Sequence, residues 1–428
     1  MKSNYKEKFH SFTNRTLYEK LSDQQQLFIK EISFQYRLTY QEFRQVVEAS
    51  RDLTMWGEED LATWWQNQTT PSVDTKRDDK KKMLTALNGY LNQIRCQEKV
   101  YRKGSRFRPQ QREPNLVMAE DQDKKIYGMC PVASEKTVCC NLHTIDAVEN
   151  CVYGCSYCTI QTFYEQNILF QTNIKQKLDQ IEIDPHRFYH FGTGQASDSL
   201  AWGNRNGILE AHCQFAAEHP NILMEFKTKS KNIKYFTENC IPYNIVCSWS
   251  LNTPVIIENE EHFTASLDQR LAAARRLADK EIKVAFHFHP LIWHGGWRTG
   301  YQEIANRLTA IFDPDQVLFV SFGSITLIKP VIQKIRDLGN PTKTLQMELV
   351  PDPHGKLTYP DRIKIAMYRH MYEVFKPWHE KVFFYLCMEK ASIWEQTLGY
   401  VYTSNTEFEQ EFGIQTMKKC DRFKKLNQ

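Results

Sequence analysis

Three cysteines fall within eight residues, Cys151-Val-Tyr-Gly-Cys155-Ser-Tyr-Cys158, and no other feature constrains the chain so strongly. Thiols at this density point to a metal or cluster site. Sites that only hold a protein together usually take four protein ligands, whereas three leave one metal position open for chemistry. A disulfide framework fits poorly, because 12 cysteines spread over 428 residues have no secretory signal ahead of them. Cys130, Cys139 and Cys140 lie close upstream. They keep open a closed zinc or four-cysteine site, or a second metal site.

The length allows a barrel core plus additions. Hydrophobic residues make up 41% and charged residues 25%, ordinary values for a soluble globular protein. No apolar run approaches the roughly 20 residues that span a bilayer, and the opening MKSNYKEKFHSFTNR has no apolar signal core. A reducing cytoplasm and no membrane partner are therefore expected. A net charge of +4 is too small to argue for nucleic acid. Residues 99–112 (KVYRKGSRFRPQQR) carry six basic side chains, which would grip phosphates or form a solvated linker.

Three parts are expected: a helical extension with a basic linker over 1–115, a core over 116–350, and a small α+β region over 351–428. In the first part Phe43, Val46, Val47 and Leu53 recur at helical spacing. Thr39 and Glu42 before them form a capping box. Met83, Leu84, Leu87, Leu91 and Ile94 mark a second helix over 80–97. In the core, strand-like runs at 188–192, 223–227, 245–251, 284–292, 317–325 and 344–349 alternate with helical stretches, a parallel α/β pattern. Past 351 a helix over 361–375, a short strand over 381–387 and a helix near 392–398 are expected, with a frayed tail.

In parallel α/β folds chemistry gathers at the C-terminal ends of strands and in the loops that follow. The cysteine loop follows Leu142-His-Thr-Ile-Asp146 and takes such a place. Four later strand ends are polar. Glycines in Gly192-Thr-Gly-Gln-Ala-Ser-Asp-Ser199 allow close backbone approach. Ser197 and Asp198 within it can take an ammonium or ribose group, or cap a helix. Glu225-Phe-Lys-Thr-Lys229 ends in a lysine suited to a carboxylate. Ser248, Ser250 and Asn252 share one face by period-two alternation, opposite Trp249 and Leu251, as a cavity wall would. His287 and His289 share a face in the same way, and His289 completes the candidate ligands.

The Cys-x3-Cys-x2-Cys loop is similar to the cluster-binding loop of radical S-adenosylmethionine (SAM) enzymes. With Gln161-Thr162, Ser197-Asp198, Thr228-Lys229, Ser250-Leu-Asn252, Ser266-Leu-Asp-Gln-Arg270, Pro290-Leu-Ile, Gly296-Trp297 and Gly300-Tyr301 it resembles the spore photoproduct lyase family, in the same order along the chain. Met55-Trp56-Gly57 and Tyr385-Leu-Cys-Met-Glu389 resemble a longer-chain branch of that family. The resemblance implies a partial (β/α)6 TIM-type radical SAM barrel, with the helical N-terminal extension and small C-terminal region already described. It implies a 4Fe–4S cluster on Cys151, Cys155 and Cys158, with SAM on the fourth iron. Lys229 would meet the SAM carboxylate and Ser197 the amino or ribose region. Ser250 and Asn252 would hold the rest, beside Asp198 and His289, with Tyr157 near the adenine or in the radical path. An electron donor such as flavodoxin or ferredoxin would reduce the cluster, and a 5′-deoxyadenosyl radical would take hydrogen from a substrate.

The chain also departs from that family. The lyase uses a cysteine just before the Ser-Asp pair, and the matching candidate catalytic position is Gln195. Thr159 stands where the lyase has a tyrosine. Cys213 and Cys247 are the candidates to replace the missing thiol, although alternation puts Cys247 opposite Ser250. The leading expectation is therefore a radical SAM enzyme whose substrate is unidentified. One alternative is a DNA-repair lyase reverting a thymine photoproduct. The other is a closed iron–sulfur or zinc protein that binds nucleic acid without SAM chemistry.

Overall fold

The amphipathic repeats of the first hundred residues fold as helices: α1 (Tyr5–Thr13), α2 (Asp23–Tyr36), α3 (Tyr40–Trp56), α4 (Leu61–Gln68) and α5 (Lys76–Cys96). The computed structural model describes residues 4–68, 76–101, 115–119, 124–130, 136–162 and 167–426. Residues 102–112 of the basic stretch and the Gln161 side chain lie outside the described residues. The chain divides into two compact units, Met1–Pro109 with Leu327–Val350, and Gln110–Thr326 with Pro351–Gln428.

In the first unit, α3 starts on the capping box that its sequence predicts. The Thr39 side chain accepts from the Glu42 N–H, and the Glu42 carboxylate accepts from the Thr39 N–H at 2.7 Å. Gly57 ends the helix in the left-handed region, φ 67°, a conformation that costs glycine little. Phe43, Val46, Val47 and Leu53 are fully buried, so the face read from spacing is the packed one. Asp52 is buried on the same helix, and both Arg336 contacts to its carboxylate are 2.8 Å. Residues 344–349, expected as a strand, are instead turn and coil. Their polar groups serve the end of α3: the Thr342 N–H donates to the Met55 carbonyl at 3.0 Å, and the Gln346 amide to Glu58 at 2.7 Å. A segment spending its hydrogen bonds on a helix terminus has none for a ladder.

Among the strands of the second unit are β1 (Tyr127–Met129), β2 (His143–Ile145), β3 (Gly154–Cys155), β4 (Tyr189–Thr193), β5 (Ile222–Thr228), β6 (Ile245–Ser250), β7 (Glu261–His262), β8 (Lys283–Leu291), β9 (Val317–Ser324) and β10 (Phe383–Leu386). Eight of them form one curled sheet in the order β10-β9-β8-β6-β5-β4-β2-β1. Every neighbouring pair is parallel except β1 with β2. Helices such as α6 (Ile208–Glu218) and α7 (Leu267–Ala278) connect the strands, giving the expected partial α/β barrel. The short strand expected near 381–387 is the sheet's edge, parallel to β9.

Alternation sorts the strand residues. Trp249 turns to the helix side, where its indole N–H donates to the Ser230 carbonyl at 3.0 Å. Ser248 turns inward to the Glu225 carboxylate. Residues 418–426 of the tail expected to fray continue the helix α8 (Asn405–Leu426). Its Phe412 ring stacks on His190 at 4.7 Å and meets Phe319 and Phe383, each at 5.3 Å. Lys419 caps the carbonyls of Pro314 at 2.7 Å and Val317 at 2.6 Å. The polar tail sequence hides this docking, because only its aromatic side reaches the sheet. For the first unit, we expect Thr39→Ala to cost about 1 kcal/mol through loss of the cap, read as a lower urea midpoint with an unchanged slope.

Candidate functional site

The cysteine loop is stitched to the chain that follows β6. Asn150, in the left-handed region at φ 66°, turns the backbone into Cys151. β3 then pairs antiparallel with β7, Cys155 opposite Glu261 and Gly154 opposite His262. The Ser156 N–H donates to the Glu260 carbonyl at 2.9 Å, and its hydroxyl donates to the Glu260 carboxylate.

Glu261 is the anchor of this arrangement. It is 2% exposed, so its charge needs partners. Arg270, wholly buried, lies 2.6 Å away. The Tyr157 hydroxyl donates to Glu261, and the Asn252 amide donates at 3.1 Å. Arg270 also donates to the carbonyls of Ser250 at 2.8 Å and Ala265 at 2.9 Å. The Tyr301 hydroxyl orients Asn252 through its Oδ1. Burial alone would raise the Glu261 carboxyl, but Arg270 and then Lys229 overcome it and hold it down to about 2. The Lys229 ammonium sits 5.8 Å from the Tyr157 ring centroid. Burial disfavours its charge, yet Glu261 and then Cys155 hold it above the usual lysine range.

The three cysteines are electrostatic neighbours of one another and of this cation. Burial pushes the Cys151 thiol up to about 12, helped by the Asp198 carboxylate and opposed by backbone N–H donors of Tyr153 and Asp198. Burial pushes Cys155 far up and Lys229 works against it. Uncharged thiols are therefore costly to ionise here until a cation or cluster replaces their protons. Three thiols with an ammonium beside them fit a cluster that leaves one iron open. Among the described residues no three His, Cys, Asp or Glu side chains close on a single ion.

The other expected ligands take distinct places. Ser197 is buried and its hydroxyl has no hydrogen-bond partner among the described residues. It lines a pocket with Asp146, Thr193, Gly194 and Trp202, so a polar group could meet it there. Gly194 has φ 93°, and a Cβ would lie 2.9 Å from the Lys227 carbonyl. Asp198 accepts from Leu200 N–H at 3.0 Å, Ala201 N–H at 2.9 Å, the Thr228 hydroxyl at 2.8 Å and Lys229 N–H at 2.7 Å. It thus braces the loop after β4 against the end of β5. Ser250 is buried, with its carbonyl held by Arg270. His289 lies against Gly323, where a Cβ would come within 2.8 Å of its ring. Gln195 is exposed. Cys247 is on the helix side, electrostatically coupled to Cys213 of α6. Cys130, Cys139 and Cys140 gather around Cys387.

Sequence reading missed Glu261 as the hub. Its signal was present in the Ser266-Leu-Asp-Gln-Arg270 and Gly300-Tyr301 motifs, whose Arg270 and Tyr301 act through it.

The curled eight-stranded sheet and its connecting helices define a partial α/β barrel that carries the three-cysteine loop. Residues 139–349 match the family model described as Spore photoproduct lyase. It is 24% identical to the spore photoproduct lyase of Bacillus subtilis over 179 residues, covering 40% of this chain and 52% of that protein. To the Clostridium acetobutylicum enzyme it is 22% identical over 171 residues, covering 39% and 51%. The chain thus spans about half the length of the curated relatives it matches. Among solved structures, spore photoproduct lyase complexed with dinucleoside spore photoproduct shares the fold at TM-score 0.53 and 17% identity, covering 80% of this chain and 94% of that one. A mutant of that enzyme with bound AdoMet and dinucleoside spore photoproduct gives TM-score 0.53 at 18% identity, with the same coverages.

Arg270→Gln should cost about 3–5 kcal/mol, because it strands the buried Glu261 charge. Arg270→Gln with Glu261→Gln should recover part of that loss, and denaturant unfolding of both variants checks it. Glu261 is depressed in the folded state, so its stabilisation is complete above the unfolded carboxyl range near 4.3. It should be lost as the pH falls from there toward 2, and Glu261→Gln should flatten that part of a stability–pH curve.

Proposed function

We propose that this protein is a radical SAM enzyme in which Cys151, Cys155 and Cys158 hold a 4Fe–4S cluster and Lys229 binds the SAM carboxylate. The carrying observation is the three-cysteine loop with the Lys229 ammonium within its electrostatic reach. Bound together, cluster and SAM supply a one-electron cleavage that yields methionine and a 5′-deoxyadenosyl radical able to take hydrogen from a substrate. The chain's own part is to bind, orient and shelter.

Lys229 offers a fixed cation to an anionic group, and Glu261 keeps that lysine charged. The unpartnered Ser197 hydroxyl is available to the amino or ribose portion of the ligand. Asp198, with its bonds spent on the backbone, fixes the position of both. Ser250 and Asn252 shape the wall beside them, and the Tyr157 ring, tied to Glu261, forms a side of the same space. His289 closes the inner face near the mouth. A flavodoxin or ferredoxin is the proposed reductant. No described helix is long and apolar enough to cross a membrane.

The substrate class divides into two readings. A relative bound to dinucleoside spore photoproduct favours DNA-lesion repair. Against it, Gln195 stands exposed where the lyase thiol would be, and neither Cys213 nor Cys247 faces the inner wall. A substrate other than spore photoproduct is the better-supported reading.

The test is anaerobic reconstitution with iron and sulfide, reduction with SAM present, and chromatography for 5′-deoxyadenosine, with and without UV-damaged DNA. Wild type should form it and Cys155→Ala should not. Lys229→Ala should lower the rate by about tenfold at subsaturating SAM. A stable cluster without SAM cleavage would refute the enzyme reading. Lesion loss that tracks the deoxyadenosine yield would move DNA repair to first place.

A further inference from the structure

Two polar side chains on the inner face of the barrel, Lys227 and His289, make no side-chain hydrogen bond or ion pair among the described residues. In the β5–β6 ladder Lys227 pairs with Ser248, and Glu225 pairs with Val246. Ser248 turns inward to the Glu225 carboxylate, so Lys227, two residues past Glu225, shares that inward face. His289 is placed by contact, because the β8–β9 pairing shifts after Phe288. A Cβ on Gly323 would lie 2.8 Å from the His289 ring. Gly323 is two residues past Ser321, whose hydroxyl meets His287 at 2.5 Å inside the barrel. The His289 ring therefore lies over the inner face of β9.

One pleat lower, Glu225 does not serve Lys227, because both its oxygens are taken. His190 Nε2 lies 2.8 Å from one oxygen, and His287 Nε2 lies 2.5 Å from the other, which Ser248 shares. Lys227 is only partly exposed, in a barrel whose far end is stopped by the rings of Phe412, His190 and Phe319. A cation in such a place without a counter-ion is costly, and an anion arriving there is favoured to the same degree. Burial, then the Lys227 charge, holds His289 well below the usual histidine range. Its neutral ring offers one N–H and no competing charge. Lys229, two residues on, has Glu261 and Cys155 to hold its charge. Lys227 has no carboxylate within ion-pair distance among the described residues.

We propose that Lys227 and His289 bind an oxyanion, a carboxylate or phosphate carried by a small-molecule substrate. Calling the ligand a substrate rests on the radical SAM reading above. The ammonium supplies the charge and the imidazole N–H supplies direction. Held at that end, the rest of the molecule extends toward the strand ends, where the cysteine loop sits. Gly323 belongs to the site, since any side chain there would push the His289 ring aside. A small molecule suits the place better than a nucleic-acid backbone, because a barrel stopped at one end admits the end of a molecule and not a passing chain.

The experiment is trace acetylation of the reconstituted full-length protein with acetic anhydride, SAM present, at constant ionic strength. Chloride is replaced stepwise by inorganic phosphate, and a parallel arm adds a short single-stranded oligodeoxynucleotide. Digestion and mass spectrometry then read each lysine, with the exposed Lys175 as internal control. Phosphate should slow acetylation of Lys227 by about threefold and leave Lys175 unchanged. In His289→Ala the slowing should fall to about 1.5-fold, through loss of one hydrogen bond. The proposal is overturned if Lys227 reacts equally in phosphate and chloride. It is overturned too if Lys227 escapes acetylation throughout, since it would then face no open space, or if the oligonucleotide alone protects it. Wild type decides each of these outcomes, so a variant that fails to fold does not leave the question open. 5′-Deoxyadenosine is measured on the same preparations. Its formation without protection at Lys227 sinks this inference alone, and protection without its formation sinks the radical SAM reading and leaves the oxyanion site standing.

Discussion

One buried carboxylate holds the cysteine loop in place. Glu261 faces Cys155 across a two-residue ladder, and its side chain collects Arg270, Tyr157 and Asn252. Removing such a charge from water is expensive, and it is tolerated only where the geometry repays the lost hydration. Arg270 makes this possible because its planar fork reaches Glu261 while its remaining N–H groups satisfy nearby carbonyls. With Lys229 included, two cations surround one anion. The Lys229 charge acts on the Cys155 thiol, and the Asp198 carboxylate acts on Cys151 in the opposite sense.

The deeper interior of the barrel is also polar, and for a related reason. Glu225 has His190 Nε2 at 2.8 Å from one oxygen, with His287 and Ser248 on the other. His287 continues the chain to Ser321. Burial raises the Glu225 carboxyl, but His287 and His190 together hold it well below the usual range. A buried network of this kind narrows the strand registers available, since its members must all meet Glu225, although the His190 Nδ1 finds no partner among the described residues.

How much of this could be read from the residues depended on whether the signal was local. The α3 capping box and the alternation of Ser248 and Trp249 are local, and each appears in the structure as its pattern implied. Glu261 carries no local mark. It becomes a hub only when Arg270, nine residues on, and Tyr157, far upstream, fold onto it. Residues 344–349 looked like a strand because Leu345, Met347 and Leu349 alternate with polar residues. Their partners turned out to be groups at a helix end, which no period reveals. The docking of the helix Asn405–Leu426 was obscured for the same reason, because His190 and Phe319, which it packs against, lie far away in sequence.

The stacking of Phe412 on His190, with Phe319 and Phe383 around it, has a consequence for traffic. These rings lie at the strand beginnings and stop that end of the barrel as a cork stops a flask. Access to the interior is then left to the opposite rim, past the strand ends where the cysteine loop sits. A flask with one neck fills and empties in turn, so a bulky occupant would hold back the next.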